Sequence, residues 1–167
     1  WKPDQDPHLR ALHQAVWSGA FTGAAGTGMT WWWESIHSQK LYVHWSALAA
    51  FLKGTAIGDP AMKPIAFQEA EGAKARAFGV ATPRRALVWL LDAAYDWPNG
   101  AMDKDPAPCT GAAATFSGLA GGAYRVEWWD THEGKPVMTQ DVKVEAGRLT
   151  LAPPPFRLDI AARVEPR

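Results

Sequence analysis

Leu9, Leu12, His13, Val16 and Trp17 recur at three- and four-residue intervals, the period of one apolar helix face. Asp6-Pro7 supplies a start signal, an acidic cap followed by a residue suited to the first turn. The helix is expected to end near Ser18-Gly19. A small-residue stretch, 19–28, follows it. Met29-Thr30-Trp31-Trp32-Trp33 is aromatic and β-branched and reads as a buried strand. Residues 34–40 read as a polar loop. A second helix is expected over about 46–53, with Leu48, Phe51 and Leu52 on one side and Gly54 as its stop. Helix, buried strand, loop, helix is the rhythm of a parallel α/β unit. A buried parallel strand needs neighbours on both sides. The first part is therefore expected to be incomplete by itself, or to pack against something outside this chain.

The pattern then changes to short strands separated by turns. They are expected at 73–80, 85–92, 111–117, 124–130, 137–145, 148–151 and 157–164. Val142 and Val144 alternate with Lys143 and Glu145, and Leu158 and Ile160 with Arg157 and Asp159. About seven antiparallel strands at this spacing predict a β-sandwich. The fold class is thus α+β or mixed, a helix–strand–helix segment followed by the sandwich. Residues 59–64, with two prolines, read as a linker. The division is 1–58, linker 59–64, and 65–167.

Composition narrows the function. The 167 residues carry 17 Lys+Arg against 17 Asp+Glu, and the basic residues are scattered, so nucleic acid is not an expected partner. No apolar run reaches the ~18 residues of a membrane span. One cysteine, Cys109, excludes an internal disulfide and a multi-thiolate zinc site. The chain begins WKPDQDPHLR without Met and shows no signal-peptide pattern; it reads as a processed chain or a fragment. Ten tryptophans are an unusual supply of flat apolar stacking surface.

The segment SGAFTGAAGTGMTWWWESIHSQKLYVHWSALAAFLKG resembles the end of the catalytic barrel of clan A glycoside hydrolases, nearest to cellulase-like members with an extra C-terminal sandwich. PRRALVWLLDAAYDW and GLAGGAYRVEWWDTHEGKPV resemble that sandwich. The resemblance implies that 1–58 is the last part of a (β/α)8 barrel, with the triple Trp on its eighth strand, and that 65–167 is an accessory domain. It also implies a secreted or periplasmic location and a polysaccharide or oligosaccharide as partner. The family's two catalytic glutamates lie before the helix read here at 6–18. The resemblance therefore implies no catalytic residue in this chain. The missing N-terminal barrel portion, or another copy of the chain, becomes an expected partner.

A retaining glycosidase needs two carboxyl groups about 5–5.5 Å apart. Glu34 is the only acid at the expected strand end; Glu69, Glu71, Asp92 and Asp96 lack an aromatic platform beside them. On a strand, Gly28, Thr30, Trp32 and Glu34 share one face, and Met29, Trp31 and Trp33 the other. The first face suits a barrel interior, with Trp32 and Glu34 emerging at its rim. Trp32 is the expected sugar platform, Trp33 takes that role if the strand ends early, and Glu34 and His37 line the site. Trp31 and Trp33 otherwise read as core. No histidine spacing marks a metal site, so no metal or cofactor is expected, and the histidines read as surface or core residues. Of the adjacent Trp128 and Trp129, one should face inward and the other cover the α/β part; a surface strip with Tyr95 and Trp97 is the other option. A free-standing carbohydrate-binding or cell-surface module is the alternative function. A sandwich subunit docking on another chain is a third.

Overall fold

The computed structural model describes residues 6–24, 26–28, 30–68, 71, 73–95 and 106–167. Met29, Glu69, Asp96 and Trp97 lie outside them, and with Trp97 the proposed aromatic strip. The described residues show a mixed α/β fold of three helices and two antiparallel sheets. No helix among them is long and apolar enough to cross a membrane.

The run Arg85–Asp92 explains the architecture. It is strand β4, and all of it after Arg85 is buried. An unbroken apolar run in a strand means that both faces are covered. Ala86, Val88 and Leu90 face one core, and Leu87, Trp89 and Leu91 face another. The order of the large sheet is β1 (Lys63–Pro64), β3 (Ala75–Thr82), β4, β9 (Asp159–Pro166), β6 (Gly122–Asp130) and β7 (Lys135–Val144). The small sheet is β2 (Phe67–Gln68), β5 (Ala114–Ser117) and β8 (Arg148–Leu151). Phe116, Leu149 and Leu151 of the small sheet meet Val126, Trp128 and Val164 of the large one in the first core. Helices α1 (Arg10–Phe21) and α3 (Val43–Leu52) cover the opposite face, with Val16, Trp17, Phe21 and Phe51 in the second core. Three layers result: helices, large sheet, small sheet.

All seven expected strands form, within a few residues of their expected ends. A bulge between Trp128 and Trp129 accompanies their opposite facing. Trp128 enters the inter-sheet core, and Trp129 meets the helices, edge-on to Phe51. The expected linker needs correction at its end, because Lys63 and Pro64 pair with Ala81 and Val80 as an edge strand. Two residues carry no readable alternation, and a proline is tolerated at an edge.

The helices also differ in detail. Helix α1 starts at Arg10 with Leu9 in the N-cap position, so Pro7 is not in its first turn; Asp6 still serves the helix start from outside, its carboxylate accepting the Arg10 N–H at 2.7 Å and the Leu12 N–H at 3.2 Å. Gly19 does not stop α1, which runs on to Phe21. It is a crossing point instead. A Cβ on Gly19 would sit 2.3 Å from the Gly26 oxygen, and one on Gly28 2.5 Å from the Ala15 oxygen. The small-residue stretch thus lets the chain return along α1 at backbone contact, where the Gly28 N–H donates to Ala15 O at 3.2 Å.

The expected strand over 29–33 is not formed among its described residues. Residues 30–32 are irregular, and α2 (Trp33–Ser38) begins inside the triple Trp. Among the described residues no strand pairs with it to satisfy its backbone groups. The segment satisfies some of them locally instead. Trp32 O accepts from the Ser35 and Ile36 N–H groups, and Thr30 Oγ1 accepts from the Trp32 N–H. Buried Ile36 anchors the short helix.

Arg163 of β9 ties the helical layer to the sheet. Its Nε donates to Phe51 O at 2.8 Å and its Nη2 to Ala50 O at 2.9 Å. Its guanidinium lies 4.2 Å from the Trp129 ring centroid. These carbonyls belong to the last turn of α3, where a cation is favoured. Lysine cannot reproduce a fork that also stacks. Arg163→Lys is expected to lower unfolding free energy by about 1–2 kcal/mol, measured by urea denaturation; a loss within error would show the fork to be dispensable.

Candidate functional site

The sequence-expected sugar site is an exposed aromatic segment. Trp31, Trp32 and Trp33 are 88%, 41% and 61% exposed. The expectation that Trp31 and Trp33 are core is thereby corrected for this chain, since no strand carries them under the helices. Glu34 and His37 are exposed on α2. His37 Nδ1 is 2.9 Å from the Tyr42 hydroxyl, so these two rings hold each other beside the tryptophans. The structure brings the four expected residues onto one short stretch. Glu71 is exposed, and Asp92 is buried, accepting the Ala94 N–H at 2.9 Å.

A second cluster has no counterpart in the sequence reading. His13 of α1, His44 of α3 and His132 of the β6–β7 turn converge where the helical layer meets the sheet. Their candidate ligand atoms all lie within 4.8 Å of one another. His13 Nδ1 and His44 Nδ1 are 3.1 Å apart. The His13 and His132 rings stack at 3.9 Å and 6°. On the far side, His13 Nε2 is 3.2 Å from Asp159 Oδ2, an ion-pair distance. Asp159 Oδ1 accepts from the Thr131 hydroxyl. His13, His44, Thr131 and Asp159 are all buried. His132 Nε2 is buried with no hydrogen-bond partner.

Local structure sets this geometry. The apolar period of α1 turns His13 inward, above Trp17. Asp130 Oδ1 accepts the His132 and Glu133 N–H groups, both at 2.8 Å, and so closes the turn. Gly134 allows that turn, because its φ is +64° and a Cβ there would lie 2.7 Å from Ala47 Cα. Leu158, just before Asp159, takes a left-handed φ of +64°, which is costly for a bulky side chain.

Burial first, then repulsion from His13 and His132, pushes the His44 imidazole down to about 4 from 6.5. Burial and His13 lower His132 as well. For Asp159, burial raises the carboxyl, but His13, His132 and the Thr131 hydroxyl outweigh it and hold it below its ordinary range. Between pH 6.5 and about 4, unfolded His44 holds a proton that folded His44 lacks. Stability therefore falls as pH drops through that window and is untouched by this group above it. The loss from His44 is expected to be complete at the acid end of that window. His132 acts in the same direction, and Asp159 adds a loss at still lower pH. Urea titrations across the window test this in metal-free buffer; a flat profile would contradict the burial of neutral imidazoles.

Spacing along one element did not reveal this cluster, because its members come from three elements. The only signal was His13 on the apolar side of its helix. No protein family's sequence profile matches this chain, and no curated protein matches it.

Proposed function

We propose that this chain is the C-terminal portion of a polysaccharide-acting glycoside hydrolase, with 1–58 closing a (β/α)8 barrel and presenting an aromatic sugar platform. One observation carries the reading. The chain buries Trp17, Trp89, Trp128 and Trp129 to 8% exposure or less, yet leaves three adjacent tryptophans exposed. An exposed cluster of this kind marks a surface that something covers. In the reading, the preceding barrel strands supply the missing backbone partners, and residues 29–33 become the eighth strand. Trp31 and Trp33 then pack under helices, Trp32 stacks on a pyranose ring, and Glu34 with His37 lines the cleft. The catalytic carboxylates come from the N-terminal barrel portion. A secreted or periplasmic location belongs to the same reading.

The test mixes the purified chain with a barrel fragment holding the preceding strands and measures hydrolysis of a β-glucan. Recovered hydrolysis, weakened by Trp32→Ala, supports the proposal. No recovery with both pieces folded overturns it. Oligosaccharide binding by the isolated chain, lost in both Trp31→Ala and Trp33→Ala, would favour the second reading, a free-standing carbohydrate-binding module with no catalytic partner.

A further inference from the structure

We propose that His13, His44 and His132 form a structural site for a divalent transition-metal ion of the zinc class, with Asp159 supporting His13 from behind. The inference stands apart from the glycan reading, since the cluster lies in the seam between helices and sheet.

The donor set selects the ion. Imidazole nitrogens suit zinc, copper, nickel and iron, whereas magnesium and calcium take oxygen. Zinc–nitrogen bonds of about 2.0–2.1 Å in a tetrahedron place neighbouring donors roughly 3.3 Å apart. His13 Nδ1 and His44 Nδ1 already stand 3.1 Å apart. Without an ion, that contact is a hydrogen bond in which one ring donates to the other. An ion between them takes the place of the shared proton: the donating ring gives up its Nδ1 proton and takes one up at Nε2, so both imidazoles bind in their neutral form. The third donor is His132 Nε2, a buried nitrogen with no hydrogen-bond partner.

Behind the donors stands a supporting layer. Metal-bound histidines commonly present their other ring nitrogen to a carboxylate, which fixes the tautomer and raises ligand basicity. His13 Nε2 faces Asp159 at 3.2 Å, and Asp159 is itself held by the Thr131 hydroxyl. Nδ1 of His13 is thereby left for the ion.

One movement is required. A lone pair in the plane of His132 cannot reach the shared point while that ring lies parallel to His13 at 3.9 Å. Rotation about the His132 side-chain torsions brings Nε2 round. A cavity of about 510 Å³ lined by Asp130, His132, Arg157 and Asp159 adjoins the ring; it gives room for the turn and a route for the ion. Because the three ligands come from α1, α3 and the β6–β7 turn, a bound ion clamps the helical layer to the sheet.

Equilibrium dialysis of the chelator-stripped chain against Zn²⁺, with Co²⁺ as a spectroscopic probe, tests the proposal. One equivalent per chain, the visible absorption of tetrahedral cobalt, and a melting temperature that rises with Zn²⁺ are expected. His44→Gln and His132→Gln should lose stoichiometric binding, and Asp159→Asn should weaken it by about 10–100-fold. His37→Gln, outside the three-histidine cluster, should bind like the parent. Absence of saturable binding of either ion to the parent chain overturns the proposal, whatever the variants do. So does binding unchanged in a folded His44→Gln or His132→Gln.

Discussion

Truncating Trp17 to alanine is expected to lower the free energy of unfolding by about 3–5 kcal/mol, while truncating Trp31 changes it by less than about 0.5 kcal/mol. Both residues are tryptophans in the first half of the chain, so composition cannot separate them. Burial does. Trp17 is fully buried. Its ring stacks near Phe21 at 6.0 Å and meets Phe51 at 5.5 Å, so its removal opens a cavity between α1, α3 and the sheet. Trp31 is 88% exposed and has little packing to lose. On the proposed reading the order reverses for assembly with a barrel fragment. There Trp31 and Trp33 are the large apolar groups available for burial, and hot-spot tryptophans cost about 2 kcal/mol or more when truncated. Urea denaturation of each variant, followed by pull-down with the fragment, checks both halves. A Trp31→Ala chain as destabilised as Trp17→Ala would show that the triple Trp already belongs to this chain's own core.

The same contrast shows what the sequence could and could not convey. Strands β4 and β8 form over the expected residues, Arg85–Asp92 and Arg148–Leu151, because side-chain alternation and turn residues act locally. The helical face through Leu12, Val16 and Trp17 was legible for the same reason. The sandwich's outward Trp129 also meets the helices as expected. Residues 29–33 have strand composition, yet composition cannot supply a neighbouring strand. Without one, α2 forms from Trp33, using local hydrogen bonds. Gly19 reads as a stop in one dimension and is a crossing point in three. The expected sugar residues lie together because they are neighbours in sequence. The histidine cluster escaped notice because His13 and His44 are 31 positions apart and only the docking of helices on the sheet unites them. Asp159, by alternation, looked like an outward residue of its strand. It is buried because the helical layer covers that face too.

That buried carboxylate supports the sharpest test of the seam. In chelator-treated protein, His13→Leu is expected to cost about 3–5 kcal/mol, the range for leaving a buried charge without its partner. The leucine fills much of the space, so lost volume is the smaller part. The larger part is Asp159, left fully buried with the Thr131 hydroxyl and without the imidazole 3.2 Å away. A carboxylate stranded in this way must protonate or pull water into the seam. The double variant His13→Leu/Asp159→Leu removes both halves of the problem. Replacing both partners of a buried pair by apolar groups is often close to neutral, so the double variant should be more stable than His13→Leu alone. Its acid sensitivity should also shrink, because the carboxylate that titrates below its ordinary range has gone. Urea denaturation of the two single variants and the double variant forms a complete cycle. Additive costs would mean that His13 and Asp159 are merely neighbours. A double variant that recovers stability means that the contact itself holds the helical layer in register with β9, and that the seam has been shaped around a charge rather than around a void.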